Sequence, residues 1–444
     1  MSDRALFTTK MGAIAASVGS AVGLGNIWRF PYEAGENGGG AFIMIYILCV
    51  LLMGIPVIVA EFVVGRSTHR NVNGALKQLN PGGKAHWFAY IGILASLMIL
   101  SFYSVVCGWI VEYLVLALSG ELSGHSPEEY SLMFATFSSH PWRPVLWTVL
   151  FLLLNHLVLR RGLKGGIERL SNMLMPVLFV ILLIFCIHSL MLPGAGRGLR
   201  FMFEPRLSDI TPTVAVKAMG QAFFSLSLGL SCLLTYASYF KNSDSLVRNA
   251  TIIALLDTLV AVLAGMMIFP AVFSYGMEPE AGPKLIFEVL PVIFQQMPFG
   301  IVWAVLLFLL LFVASITSTI SMSEISIAFF QEEHGLSRDK ATAVSTGVAL
   351  VFGTLCALSF GPLSTMTVFG MTLFSLFDYV SSNVLLPVGG IFFSVFVGWV
   401  LDRRMVENEL TNGGTLSVKT MRVLIFLMRY VAPVAIAVVF FSLI

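Results

Sequence analysis

Gly19-Ser-Ala-Val-Gly-Leu-Gly25-Asn26, and later Ser225-Leu-Ser-Leu-Gly229-Leu-Ser231, are the two stretches that decide how this chain folds. Each interrupts an apolar segment long enough to cross a bilayer, with residues that a helix holds poorly. A helix unwound inside the bilayer leaves main-chain groups that need partners, because an unsatisfied one costs several kcal/mol there. Free carbonyls suit a hard cation, and the N-terminus of the resumed half-helix suits a carboxylate. One such stretch alone reads equally well as glycines that let helices pack closely. Two of them, five spans apart and each beside polar side chains, point instead to a binding site at the middle of the membrane.

The rest of the chain supports a membrane setting. It has 444 residues, 57% hydrophobic and 11% charged, and a mean hydropathy of +0.89, far from a soluble domain. Apolar spans are expected near 11–35, 41–64, 88–118, 144–159, 169–191, 213–239, 248–274, 299–330, 340–360, 365–401 and 420–443. The expected fold is therefore an all-α membrane protein of about eleven helices. Helices 1 and 6 are broken, in two five-helix inverted repeats (about 11–191 and 213–401) that form a core over 1–401. A cytoplasmic loop and an eleventh helix follow in 402–444.

With the N-terminus inside, 18 Lys and Arg become cytoplasmic, among them Arg66, Arg70, Arg160, Arg161, Lys164, Arg403 and Arg404, against five outside. That bias predicts a cell inner-membrane protein with its N-terminus cytoplasmic and its C-terminus outside. The basic, apolar start resembles a secretory signal, but Asn26, Arg29 and ten further spans oppose that reading. Cys49, Cys107, Cys186, Cys232 and Cys356 all fall in apolar spans without metal-type spacing, and read as small core residues. Neither nucleic acid nor an enzyme substrate is implied by charge or by the seven histidines, none of which is patterned near Asp257.

Polar residues within the spans carry the chemistry. Asp257 lies roughly 13 Å into an apolar span, at 1.5 Å per helical residue; a carboxylate there is either paired with an arginine or functional. Asn26 and Ser225 are candidate oxygen donors at the two breaks. Ala314, Thr317 and Ser318 share one helix face, offering a carbonyl and two hydroxyls, although Thr and Ser also bond back to their own helix. Arg29 and Asp378 are opposite charges near the outer ends of their spans, and Arg4 and Glu332 near the inner surface. Glu61 is expected to bond unwound backbone; Glu324 has no assigned role.

Ala21-Val-Gly-Leu-Gly-Asn-Ile-Trp-Arg-Phe-Pro31, followed by Glu36-Asn-Gly-Gly-Gly-Ala-Phe42, resembles the neurotransmitter:sodium symporters, in the bacterial amino-acid branch typified by the leucine transporter. Gly54-Ile-Pro56 through Gly65-Arg66, Gln221 to Tyr239, Asp257, Ala314 to Ser318, and Asp378 to Gly390 follow in family order. The resemblance implies two sodium sites. The first would use the Ala21 carbonyl, Asn26, Ser225, Asp257 and a substrate carboxylate; the second would use Gly19, Val22, Ala314, Thr317 and Ser318. The implied pocket comprises Ser20, Ala21, Gly23, Leu24, Gly25, Ile99, Tyr103, Phe224, Ser225, Ser227, Leu230, Ser318 and Met322. Tyr103 would bond the substrate carboxylate beneath Phe224 as a lid.

Arg29 with Asp378 and Gln221 resembles an outer gate, and Arg4 with Glu332 near Tyr239 an inner one. Phe7 stands where the family usually has Trp, which suggests a looser inner plug, and eleven spans rather than twelve suggest a monomer. Gly23 replaces the aspartate of monoamine transporters, so the substrate must bring its own carboxylate. Apolar neighbours favour a small neutral, hydrophobic and possibly aromatic amino acid. The implied function is sodium-coupled uptake of such amino acids, chloride-independent because Asp257 supplies the negative charge, with proton antiport through that residue. A channel or a transport-dead sensor on the same fold is the alternative.

Overall fold

The computed structural model describes residues 5–277, 285–415 and 421–443. The described residues are almost wholly helical. In chain order the principal segments are α1 (Lys10–Ala21), α2 (Gly25–Glu36), α3 (Gly40–Thr68), α4 (Ala85–Ser119), α5 (Arg143–Arg160), α6 (Leu163–Leu190). They continue as α7 (Pro212–Ser225), α8 (Cys232–Ala237), α9 (Leu246–Ser274), α10 (Gly300–His334), α11 (Arg338–Leu358), α12 (Leu373–Val400), α13 (Arg403–Thr411) and α14 (Met421–Ser442). Among the described residues nine helices are long and apolar enough to cross a membrane, and α1 with α2, bent by 52°, can make ten. The eleven spans expected from sequence require α7 and α8 also to count as one interrupted span.

Both interruptions fall where the glycines predict them. Val22 leaves the helix in an extended conformation (φ −68°, ψ 115°), and the Asn26 amide oxygen accepts the Gly23 N–H at 3.0 Å, closing a turn between α1 and α2. Between α7 and α8, Ser227, Gly229 and Ser231 all have positive φ (51°, 80° and 67°), which no helix tolerates. Gly229 is demanded twice over: a Cβ there would lie 2.2 Å from the Leu386 carbonyl oxygen and 2.5 Å from the Gly390 nitrogen. α12 thus touches the second break through bare backbone.

Glu61 of α3 takes up the amides that this break exposes. Its Oε1 accepts the Gly229 N–H at 2.8 Å and its Oε2 the Leu234 N–H at 3.3 Å, with the carboxylate fully buried. The expectation that Glu61 bonds unwound backbone therefore holds. One turn further on, a Cβ on Gly65 would lie 2.1 Å from the Leu234 carbonyl oxygen, so α3 and α8 lie backbone against backbone. The segment after residue 401, set apart in the sequence expectation, packs into the core: α13 lies against α3 and α9, and α14 against α12 and α7.

Gly120 shares the φ of +80° with Gly229 but has nothing within 4 Å of a built Cβ. Gly120→Ala should cost about 1 kcal/mol of backbone strain, whereas Gly229→Ala, which must also part α8 from α12, should lower the detergent-solubilised melting temperature several times as much. Equal shifts for the two variants would show that conformation alone, and not the close approach, selects glycine at 229.

Candidate functional site

The two breaks meet at Asp257. Its fully buried carboxylate accepts the Ser225 hydroxyl at 2.7 Å on Oδ2 and the Asn26 amide at 2.8 Å on Oδ1. The same Asn26 Nδ2 lies 2.8 Å from Ser225 Oγ and 3.1 Å from the Asp257 carbonyl oxygen. α2, α7 and α9 thereby bring together three side chains expected to share one site, beside Ala21 at the end of α1. Among the described residues no arginine hydrogen-bonds or pairs with Asp257. Tyr46 of α3 completes the group, with its hydroxyl 3.4 Å from both Ser225 Oγ and Asp257 Oδ2. It was missed in the sequence because a tyrosine in an apolar span looks like core; the only signal was a hydroxyl at mid-span depth.

The group offers one carboxylate, two hydroxyls and an amide, with no sulfur or imidazole; Asn26 turns its Nδ2 to the cluster while its oxygen takes the Gly23 N–H. That chemistry suits a hard monovalent cation such as sodium and not a transition metal; among the described residues no group of three or more His, Cys, Asp or Glu could hold a metal ion.

A second oxygen-rich contact joins α1 to α10. Ser318 Oγ donates across the interface to the Val22 carbonyl at 3.1 Å, while also lying 3.1 Å from the Ala314 carbonyl of its own helix. Thr317 Oγ1 bonds back to Val313 and Ala314 at 3.2 and 3.0 Å, and a Cβ on Gly19 would sit 3.2 Å from Thr317 Cβ. Back-bonding and a cross-helix face are both present. Gly19 and Val22 of the first segment thus lie against Thr317 and Ser318 of α10, with Ala314 one turn earlier.

Several residues expected to line a pocket surround the Gly23–Gly25 turn. Tyr103 of α4 accepts the Leu24 N–H at 3.1 Å, and a Cβ on Gly23 would come within 2.7 Å of Ser318 Oγ and 3.1 Å of the Tyr103 hydroxyl. A larger residue there would have to displace one or both hydroxyls. A Cβ on Gly25 would touch the Phe224 ring at 3.3 Å, so Phe224 covers the turn. Ile99, Leu230 and Met322 are buried, and Ser227 occupies the positive-φ turn. Ser20 Oγ lies 3.0 Å from Cys232 Sγ, which sets Cys232, at the start of α8, beside a residue expected to line the pocket.

Arg29 and Asp378 line one cavity of about 630 Å³ together with Leu24, Tyr103 and Phe224, but they are not an ion pair. Arg29 Nε lies 3.7 Å from Glu33, and the guanidinium stacks 4.4 Å from the Phe224 ring centroid; Asp378 instead accepts the Ser382 hydroxyl at 3.1 Å. In this structure the residue one turn away and the Phe224 ring lie beside the guanidinium, while Asp378 lines the same cavity. Gln221 does serve this region, donating to the Gly25 carbonyl at 2.9 Å.

A cavity of about 910 Å³ is lined by Tyr239, Glu324, Glu332 and Arg338. Arg4, the expected partner of Glu332, lies outside the described residues. Glu332 accepts the main-chain N–H and the side-chain amide of Asn71 at 2.8 and 2.9 Å. Tyr239 donates to Glu324 at 2.7 Å, and Arg338 grips Glu324 with two nitrogens at 2.8 and 2.6 Å, giving Glu324 the role that sequence left blank. Phe7 is no loose plug: it is 2% exposed and packs edge-on to Tyr236 and Tyr239, each with ring centroids 6.0 Å away.

Comparison with known proteins agrees with this geometry. The profile of the "Sodium:neurotransmitter symporter family" matches residues 4–132 and 138–444. The "Uncharacterized sodium-dependent transporter YhdH" of Bacillus subtilis is 40% identical over 440 residues, covering 99% of this chain and 97% of that one. An "Uncharacterized sodium-dependent transporter" of Haemophilus influenzae is 34% identical over 452 residues, covering 99% and 98%. The crystal structure of MhsT in complex with L-phenylalanine superposes with a TM-score of 0.91 at 38% identity, over 99% of this chain and 100% of that one. The chain belongs to the sodium:neurotransmitter symporter family.

Proposed function

We propose that this protein takes up neutral, hydrophobic amino acids by sodium-coupled symport. The observation that carries the reading is the polar cluster of Asn26, Ser225 and Asp257, where residues from both breaks meet around one buried carboxylate. A substrate carboxylate placed beside it would complete the coordination of a first sodium, so that ion and amino acid each favour the other's binding. The Val22, Ala314, Thr317 and Ser318 oxygens would hold a second. The Tyr103 hydroxyl accepts from Leu24 and keeps its own proton to donate to the substrate carboxylate. Phe224, Ile99, Leu230 and Met322 favour an apolar side chain, in keeping with the phenylalanine held by MhsT. Alternating access would follow from two inverted repeats, about 11–191 and 213–401, rocking about the site. The N-terminus would be cytoplasmic and the C-terminus outside the cell inner membrane, with the protein acting as a monomer.

Asp257 gives the cycle two further properties. Its fixed charge stands in for an anion, so transport would be independent of chloride. When sodium leaves towards the cytoplasm, a buried carboxylate without its cation is costly, and taking up a proton relieves that cost. Return of the empty carrier would then export the proton, making the exchange sodium and amino acid in, proton out.

Binding of radiolabelled leucine by purified protein should require sodium, and Asn26→Ala and Thr317→Ala should each raise the sodium concentration for half-maximal binding by about tenfold, as expected for one lost oxygen partner. Leucine binding that persists unchanged with sodium replaced by choline rules the reading out.

Tyr103→Phe should weaken leucine binding by roughly tenfold, since a buried carboxylate loses a donor, while Ile99→Val changes it little. Equal effects of the two substitutions would remove Tyr103 from the pocket.

Asp257→Asn should abolish sodium-driven proton movement, followed with a pH-sensitive dye inside proteoliposomes, and should make uptake dependent on chloride. An Asp257→Asn protein fully active in gluconate medium, or a wild type that stops there, contradicts the assignment of this carboxylate.

A further inference from the structure

Outside the ion and substrate sites, the most completely satisfied buried charge is Arg66, near the end of α3 and 3% exposed. Its Nε donates to Glu409 Oε2 at 2.8 Å, and its Nη1 to the Asp244 carbonyl at 2.5 Å and to Asn412 Oδ1 at 2.8 Å. Nη2 donates to the Glu409 carbonyl and lies 2.7 Å from the Glu409 carboxylate. Four hydrogen bonds and an ion pair thus engage all three guanidinium nitrogens, an arrangement that a lysine cannot reproduce.

Those acceptors belong to two separate pieces of chain. Glu409 and Asn412 form the end of α13; Asp244 sits in the turn that carries α8 into α9. Asn412, held at φ 49°, reinforces the join by donating to the same Asp244 carbonyl at 3.3 Å, and the Asp244 side chain closes its own turn on the Lys241 N–H at 2.9 Å.

α8 is therefore fixed at both ends by one continuous stretch of chain. At its start, the Gly229 turn lies against the backbone of Leu386 and Gly390 in α12; at its end, the Asp244 turn is held by α13, which follows α12 directly. Between these two anchors α8 carries Cys232, which touches Ser20 on the pocket wall, and leads to Tyr239, which lines the 910 Å³ cavity. α8 packs against α1 and α10, so a shift of α8 against them that opened the pocket towards that cavity would strain the clasp at Asp244.

We propose that Arg66, Glu409 and Asn412 form a positioning clasp that holds the end of α8 and so sets how readily the pocket opens on the Tyr239 side. The clasp touches neither ion nor substrate and acts through α8. This inference rests on the transport reading above.

Cys232, 1% exposed, is a built-in reporter of that opening, and Cys107, fully buried on α4, is a reporter of general loosening. Purified protein in sodium would be treated with a small maleimide and the labelling rate of each cysteine followed by mass spectrometry, for wild type, Glu409→Gln and Asn412→Gly. The glycine variant keeps the positive φ while removing the side chain. Cys232 should label at least about tenfold faster in both variants, the loss expected when a charged group gives up a hydrogen bond, while Cys107 stays protected. Should Glu409→Gln not fold, Asn412→Gly alone decides. Unchanged Cys232 labelling overturns the proposal, as does a parallel rise at Cys107, which would make the contact a structural strut only. Sodium-dependent leucine binding measured on the wild-type sample separates failure of the transport reading from failure of the clasp.

Discussion

Main-chain groups inside a bilayer must find hydrogen-bond partners, and the rest of this structure depends on how that requirement is met at two places where a helix stops. At the first break, the Gly23 and Leu24 amides turn to Asn26 and Tyr103, and the Val22 and Gly25 carbonyls to Ser318 and Gln221. At the second, the Gly229 and Leu234 amides turn to Glu61. Five helices contribute these side chains, so the breaks knit the bundle together while concentrating polar groups at its centre. A site that exchanges ions and a zwitterion needs such groups in a water-poor place, and the folding constraint supplies them.

Glycine is what lets the partners come close enough. Gly23 leaves room for the Ser318 and Tyr103 hydroxyls, and Gly65 and Gly229 allow backbone to meet backbone on either side of α8. α8 thus meets α3, and the turn before it meets α12, through bare backbone, while Tyr236 of α8 still packs its ring against Phe7.

Much of this was legible in the sequence because its signals are local. The glycine runs mark the breaks, the isolated Asp257 marks a charge that must be functional or paired, and the spacing of Ala314, Thr317 and Ser318 marks one helix face. Glu61 was expected to bond unwound backbone, and it takes the Gly229 and Leu234 amides. Partner choice was less legible, since it depends on which helices become neighbours. Arg29 turned to Glu33 and Phe224, not to Asp378; Glu324 acquired Arg338 and Tyr239 from other segments; Tyr46 joined the Asp257 cluster from α3. The Arg66 clasp brings together residues more than 340 positions apart in sequence, a distance no periodicity reports.

The central claim is that sodium energy is spent on moving an amino acid through this site. The most direct measurement is leucine accumulation in proteoliposomes given an inward sodium gradient. The account predicts that internal leucine rises above the external concentration and falls back when a sodium ionophore collapses the gradient. Leucine that merely equilibrates, whatever the sodium gradient, or sodium-dependent binding with no entry at all, would contradict it.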